Sequence, residues 1–296
     1  MTLTVFTPTF NRGYVLPQLY ESLTKQTSRD FVWLLIDDGS SDNTRELANQ
    51  WIAAGEITIE YHFKENGGMH TAHNLAYDLM NTELNVCIDS DDFMPDDSVA
   101  KIIDYWNKNK DENYAGILGL DAYKSGDIVS NRKFPEGLKD GKYFQLKGKY
   151  GLRGDIKFVY RTETIKKYPP YPVFPSERFV PLGYKYLLID QDYDMLFLNE
   201  VLCIVEYLED GSSRNIFRQY VKNPKGFVHE RKVRMKLGYT LRERFMNCVH
   251  YVSSSIFLRN GNFLSESTNK WLTILAIPLG IVLNIYIRIV VRKSQK

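Results

Sequence analysis

Two short acidic runs carry most of the chemistry available to this chain, Asp37-Asp38 and Asp89-Ser90-Asp91-Asp92. Carboxylates gathered in one crevice repel one another and lose hydration, so such a cluster needs a cation. No His or Cys set has zinc-like spacing, which leaves a hard divalent ion with oxygen ligands, Mn2+ or Mg2+. An ion held by one or two carboxylates keeps positions for water and substrate phosphates, so a diphosphate is the expected ligand. Taken alone, Asp-Asp-Gly-Ser reads equally well as a turn, with Asp42 capping the helix that follows. Two such motifs at the ends of different strands, together with a turn at Pro8 to Arg12, favour a site.

The elements that must position these residues are legible as alternating β-branched runs and amphipathic stretches. Strands are expected over 3–7, 31–37, 57–63, 85–89 and 115–122, and helices over 15–26, 43–53, 70–80 and 96–108. Leu16, Leu19, Tyr20 and Leu23 fall at helical spacing and would bury one stripe. The fold class is therefore α/β, a Rossmann-like, mostly parallel sheet flanked by helices. Ligands of such a sheet bind beyond the carboxyl ends of its strands, where both acidic runs fall. Residues 124–160 lose the alternation and are rich in Gly, Lys and Tyr, which predicts short strands and loops over one end of the sheet. A proline cluster at Pro169, Pro170, Pro172 and Pro175 precedes Glu177-Arg178-Phe179 and a last helix-strand pair.

With 296 residues the chain can hold one large domain and an appendage. Its 38 Lys+Arg against 36 Asp+Glu leave a net charge of +2, so no nucleic-acid partner is expected. Cys87, Cys203 and Cys248 are scattered and read as reduced, buried thiols. The first residues run straight into a strand without a secretory pattern, which places the catalytic part in the cytosol. Residues 271–291 are almost continuously apolar, broken by Pro278, Asn284 and Arg288, and Arg288 to Lys296 carries four basic groups and no acid. This segment is long enough either to span a bilayer or to lie in its interface, with a kink or break at Pro278 and Gly280. The alternative is a helix packed on the domain or on a second subunit, which keeps a homo-oligomer open. A basic helix over 227–239, with Arg231, Lys232, Arg234 and Lys236, would face phospholipid or a lipid-diphosphate acceptor, or simply solvent.

The acidic motifs also carry a family resemblance. TPTFNR at Thr7 to Arg12, IDDGSSDNT at Ile36 to Thr44, ENGGMHTAHN at Glu65 to Asn74 and IDSDD at Ile88 to Asp92 resemble, in order and spacing, a glycosyltransferase of family 2 with the GT-A fold. The likeness covers residues 1 to about 125 and extends less fully through SERF at Ser176 to Phe179 and VEYLEDGSS at Val205 to Ser213, a loop that closes over the site in relatives. It implies a nucleotide-sugar donor, a UDP-sugar first, and inversion at the anomeric carbon. It implies further that Thr7, Pro8 and Arg12 line the nucleotide pocket, that Asp38 accepts a hydrogen bond from the base and that Asp89 meets base or ribose. Asp91 would be the main metal ligand, with Ser90 and Asp92 beside the donor, although Asp92 suits a helix cap as well. Gly67 and Gly68 would let backbone approach the nucleotide, and Asn74 would face the donor. Relatives often carry Lys where Met69 stands, a charge that His70 or Lys64 could replace; His70 and His73 read equally as a polar helix start.

Inversion by direct displacement needs a base to take the acceptor proton. The resemblance assigns that role to Glu177, with Asp190 and Asp192 as competitors whose spacing better suits capping or surface. Tyr184, Tyr186, Tyr193, Phe179 and Trp106 offer aromatic surface to an acceptor sugar, most of them reading as core. The expected layout is a nucleotide-sugar half over 1–123, an acceptor half over 124–215 and a helical membrane-associating region over 216–296. The expected activity is transfer to a glycan or lipid-linked glycan at the cytoplasmic face of the cell membrane, in capsule or exopolysaccharide synthesis. A nucleotidyltransferase lacks its Gly-rich basic loop here, and neither GxxxxGK[ST] nor GxGxxG follows the first strand. A non-catalytic membrane scaffold with the same fold is the other reading.

Overall fold

The computed structural model describes residues 1–206 and 215–294. The sequence's candidate closing loop falls largely on 207–214, outside the described residues. The first half alternates strand and helix: β1 (Leu3–Thr9), α1 (Leu16–Thr24), β2 (Phe31–Asp37), α2 (Thr44–Ala54), β3 (Ile59–Phe63), α3 (Met69–Leu79), β4 (Leu84–Cys87), α4 (Ser98–Asn109) and β5 (Tyr114–Ala122). β1 pairs in parallel with β2 on one side and β4 on the other, and β2 pairs in parallel with β3. Every residue of β1 and β2 is buried, the signature of strands covered on both faces. α1 buries the predicted Leu16, Leu19, Tyr20 and Leu23. Tyr20 stacks on Trp51 of α2 at 4.6 Å, with Trp33 of β2 beside both. β1 runs two residues beyond the expected end because pairing with β2 continues to Thr9 opposite Asp37.

The second half departs from the expectation for 124–160. It holds β6 (Asp140–Gly141), α5 (Tyr143–Gly148), β7 (Ile156–Arg161), α6 (Thr162–Lys166), α7 (Gly183–Asp192) and β8 (Asp194–Ile204). Instead of lying over one end of the sheet, β7 enters its middle, antiparallel to both β4 and β5. β5 then pairs in parallel with β8, and β6 closes the edge, so the described strands form one sheet in the order β3-β2-β1-β4-β7-β5-β8-β6. The sequence signal was weak because the strand, IKFVYR, carries a charge at each end of a short apolar run. Its insertion needs Gly116 of β5, whose φ is +152° and whose missing Cβ would lie 2.0 Å from the Val159 carbonyl oxygen.

The chain divides into two compact units, Met1–Pro170 with Ile189–Leu208, and Tyr171–Leu188 with Glu209–Lys296. Residues 156–161 fall in the first unit, and 171–188 with the C-terminal helices. The second unit contains α8 (Ile216–Lys222), α9 (Pro224–Leu237), α10 (Leu241–Phe257) and α11 (Lys270–Lys293). Val228 and Met235 of α9, Cys248, Val249 and Tyr251 of α10 and Ala276 of α11 share one core. α11 is continuous through Pro278, without the expected break. Proline removes one helical hydrogen bond, and Ala276 before it and Gly280 and Asn284 after it are all buried.

Gly116→Ala is expected to cost about 3 kcal/mol or more, because a Cβ there meets backbone that cannot move aside without breaking the β5–β7 ladder. Urea denaturation of the variant against the parent chain measures it, and an unchanged midpoint would contradict the strand insertion described.

Candidate active site

The carboxyl ends of β2 and β4 flank the end of β1, since Thr9 aligns with Asp37 and Phe6 with Cys87. At the β2 end the two aspartates do different work. Asp37 is buried and closes its own turn, accepting the Ser40 amide at 2.7 Å and the Tyr61 hydroxyl at 2.7 Å. Burial, with that bond, pushes the Tyr61 phenol up to about 12. Asp38, also buried, reaches across to the loop before α3. Its carboxylate accepts the Gly67 amide at 3.0 Å, the Gly68 amide at 2.7 Å and the Asn66 side-chain amide at 3.3 Å, and pairs with Lys64. Gly68 adopts φ +92°, and Gly39, at φ +88°, has no room for a Cβ, which would lie 2.7 Å from the Asn66 nitrogen. Asp38 thus latches the glycine loop of α3 to the end of β2.

Thr7 is buried within β1, its hydroxyl accepting the Trp33 indole N–H at 3.0 Å, and Pro8 is buried beside it. Arg12 and Asn74 are half-buried, as are Gly67 and Gly68. The turn between them is held by Asn11, at φ +53°, whose side chain accepts the Ser41 amide at 2.8 Å, and by Asp42, which accepts the Gly13 amide at 2.9 Å. Asp42 also accepts the Thr44 amide at 3.1 Å, a turn bond two residues on; the cap position of α2 is Asn43, not the Asp42 read from sequence.

After β4 the acidic run splits. Asp89 and Asp91 are half-buried, whereas Ser90 and Asp92 are buried. The loop is tightened by the Asp92 amide donating to the Asp89 carbonyl at 3.0 Å, and Phe93 and Ile204 exchange backbone bonds at 3.0 and 2.7 Å. Asp92 turns inward, accepting the Glu206 amide at 3.1 Å and lying 4.0 Å from the Lys157 ammonium. It caps no helix, since α4 begins only after Asp97. Lys157 of β7 is 12% exposed and lies 3.6 Å from Asp121 of β5, which is itself buried. One ammonium serves two buried carboxylates. Burial accordingly pushes Asp92 up to about 7 and Asp121 up to about 6, Lys157 only partly offsetting it. Lys157 itself is raised, the surrounding acids outweighing its burial. Sequence reasoning missed both Lys157 and Asp121; the available signal was the single charge, Asp121, inside the otherwise buried apolar strand β5.

The sequence left His70 or Lys64 to replace the absent lysine at Met69. Neither is a free cation: Lys64 is paired with Asp38, and burial holds the His70 imidazole down at about 4, neutral near pH 7. Both nitrogens of His70 lack hydrogen-bond partners among the described residues. His73 is buried edge-on to Phe6 at 5.0 Å and 3.1 Å from the Tyr77 hydroxyl. Trp106 and Tyr184 are core residues. A cavity of about 390 Å³ lined by Arg29, Phe31, Gly55 and Thr58 lies at the amino ends of β2 and β3, the edge at which such sheets do not bind ligands.

Glu177 belongs to the second unit and is buried. Its two carboxylate oxygens accept the amides of Lys225 and Gly226 at 2.9 Å each, so it caps the first turn of α9 from outside that helix. Ser176 before it takes φ +67°, and the Arg178 amide is held by Asn223 at 2.8 Å. Asp190 accepts the amides of Tyr143 and Phe144 at 2.6 and 3.2 Å, capping α5, and Asp192 accepts the Tyr168 hydroxyl at 2.6 Å.

This architecture places the protein in the GT-A class of α/β folds. TarS 1–349 of S. aureus in complex with UDP-GlcNAc superimposes with a TM-score of 0.59 at 14% identity, over 99% of this chain and 92% of that one. A mannosyltransferase of Pyrobaculum calidifontis in complex with GDP-Man and Mn2+ gives 0.55 at 15% identity, over 96% and 87%. The sequence profile described as glycosyl transferase family 2 matches residues 4–168, more than half of the chain, and the protein belongs to that family. Among characterised relatives, glycosyltransferase GlyG of Streptococcus pneumoniae is 28% identical over 142 residues, 48% of this chain and 42% of that protein. The poly(ribitol-phosphate) beta-N-acetylglucosaminyltransferase TarP of Staphylococcus aureus is 26% identical over 137 residues, 46% and 41%. The chain thus spans less than half the length of these relatives.

Lys157→Met is expected to cost about 3–5 kcal/mol in urea denaturation at pH 7.5, since it leaves two buried carboxylates without their cation. Asp121 is raised in the folded state, so the stability linked to its protonation is full below the usual carboxylate range and is lost as pH rises through about 6. The melting temperature of Asp121→Asn relative to the parent should therefore be more favourable at pH 7.5 than at pH 5; a difference independent of pH would disprove the upward shift.

Proposed function

We propose that this protein transfers a sugar, with inversion, from a nucleoside-diphosphate sugar to a hydroxyl of a glycan or lipid-linked glycan, at the cytoplasmic face of a membrane in cell-surface polysaccharide synthesis. The observation that carries the reading is the single sheet edge at which the Asp38-latched glycine loop and the half-buried Asp89 and Asp91 flank the end of β1. UDP is the first choice of nucleotide, supported by the UDP-GlcNAc held by the TarS fold neighbour.

A divalent ion, Mn2+ or Mg2+, fits the donor set. Asp92 is committed inward to Lys157 and the Glu206 amide, and the proposed ligand is Asp91, with Asp89 beside it on the same loop. No group of three or more His, Cys, Asp or Glu side chains gathers around a metal position among the described residues. One or two carboxylates completed by substrate phosphates and water is the mode in which Mg2+ and Mn2+ are commonly held. Such an ion, when bound, offsets the charge developing on the departing diphosphate.

The chain's own residues do the rest. Asp38 fixes Gly67 and Gly68 so that side-chain-free backbone faces the nucleotide, with Arg12, Pro8 and Asn74 around it and Thr7 supporting the strand end. Ser90 and Asp92 act on the donor by setting the path of the loop that presents Asp89 and Asp91. Glu177 is the proposed base for the acceptor proton. Each of its oxygens has one lone pair engaged by the α9 amides, which leaves a second on each to accept from a hydroxyl.

Screening UDP-, GDP- and TDP-sugars for divalent-dependent release of the nucleoside diphosphate tests the reading. Asp91→Ala should reduce release by about a hundredfold or more and weaken metal-dependent nucleotide binding. Glu177→Gln should lower transfer by about 10²- to 10⁴-fold with nucleotide binding retained; a variant that melts like the parent and turns over as fast would reject the base. Absence of turnover with every donor and acceptor tried would favour the scaffold reading.

A further inference from the structure

The sequence leaves open whether the apolar C-terminal segment crosses a bilayer or lies in it, and the second unit supplies the geometry that decides between them. One face of α11 is committed to protein. Thr273, Ala276, Gly280, Asn284 and Ile287 are buried, a Cβ on Gly280 would lie 2.5 Å from Val252 of α10, and the Asn284 side-chain amide donates to the Ser253 carbonyl at 3.0 Å. The opposite face is bare. Trp271 is 81% exposed, Leu275 66% and Val282 62%, and Leu279, Ile285 and Ile289 are each about half exposed. Such a contiguous apolar stripe calls for an occupant.

We infer that this stripe of α11 docks in the plane of a bilayer bearing anionic headgroups, half-immersed and not spanning. Charge selects lipid over a second copy of the chain. No acidic residue follows Glu266, while Lys270 stands at one end of the helix and Arg288, Arg292 and Lys293 at the other, all exposed. Arg218 of α8 joins the far end by donating to the Ser294 carbonyl. A two-fold contact through this face would set positive ends against positive ends in either direction. An anionic surface meets them with the opposite sign, while Trp271 and Tyr286 are the amphipathic rings suited to the headgroup level.

The same core argues against crossing. α9, α10 and α11 share their apolar contacts, and α9 carries the buried Glu230, bonded to Arg234 at 2.8 Å and paired with Arg231 at 3.6 Å. Arg231 bonds Asn247 of α10 at 2.9 Å, and Lys232 pairs with Glu266. The basic helix that the sequence offered to phospholipid thus turns Arg231 and Arg234 toward the buried Glu230, while Lys232 pairs with Glu266 at the surface and Lys236 is exposed. A spanning α11 would draw this ionic layer to membrane depth, where charged side chains are strongly disfavoured. Immersion of the outer stripe alone leaves it in water. This extends the membrane-surface part of the proposed function and is independent of its chemistry.

Flotation of the full-length protein with phosphatidylcholine vesicles, with and without phosphatidylglycerol, provides the test. Binding should be about tenfold or more stronger with the anionic lipid and fall at high salt. Leu275→Asp/Val282→Asp, both at exposed positions, should lose about tenfold or more of that binding while its melting temperature and donor turnover stay unchanged. On vesicles loaded from outside, Lys293→Cys, corrected for the parent's native thiols, should react with a membrane-impermeant maleimide as it does in solution. Protection of that thiol would show spanning and overturn the inference. So would a double-aspartate variant that floats like the parent, including one whose only change is a smaller oligomer. A chain that floats as expected but turns over no donor would sink the transferase reading and leave this one standing.

Discussion

The sheet edge of this protein depends on one buried ammonium. Asp89, Asp91, Asp92 and Asp121 come from two strand ends, and a cluster of that sign is stable only where positive charge is built in or bound. Lys157 supplies the built-in part from a third strand, directed at Asp92 and Asp121. The acidic run is thereby divided between an inner residue that anchors the loop and two outer residues that keep their exposure. The demand for a cation that the sequence raises is met in the interior by this lysine.

A similar division of labour appears at the end of β2. Asp37 closes a turn, and Asp38 ties down the glycine loop in front of α3. Neither interaction reaches far along the chain, yet together they fix backbone amides and side-chain-free surface beside the end of β1. Family membership rests on residues 4–168, the stretch in which these arrangements lie, which is why fold and family agree more closely than substrate does.

Much of this was legible beforehand because the first half obeys simple periodicities. Strands and helices through residue 122 fall within a few residues of expectation, and the glycine and aspartate motifs mark their own turns. Asp190 shows that capping can be anticipated from residue type, although it caps a helix other than its own. What escaped notice was long-range. Nothing local in IKFVYR says that it enters the sheet between β4 and β5, and so nothing revealed Lys157 as the partner of Asp92. Glu177 was read by resemblance alone, and its bonds to the start of α9 connect residues 48 and 49 apart, a relation no spacing rule exposes. The basic helix over 227–239 is answered partly from within, Arg234 by Glu230 one turn away, and partly by Glu266 and Asn247, which lie beyond any helical period.

The late arrival of β7 has a bearing on how the molecule is made. Until residues 156–161 emerge from synthesis, β4 is an open edge and Asp92 has no counter-ion, so a nascent chain carrying β1 to β5 holds an adhesive strand and an unbalanced charge side by side. Closure of the sheet and neutralisation of the acidic loop are then one event, with a sequence separation that makes it slow relative to the pairing of β1 with β2. The edge that carries the acidic loop is completed by the strand that seals the sheet.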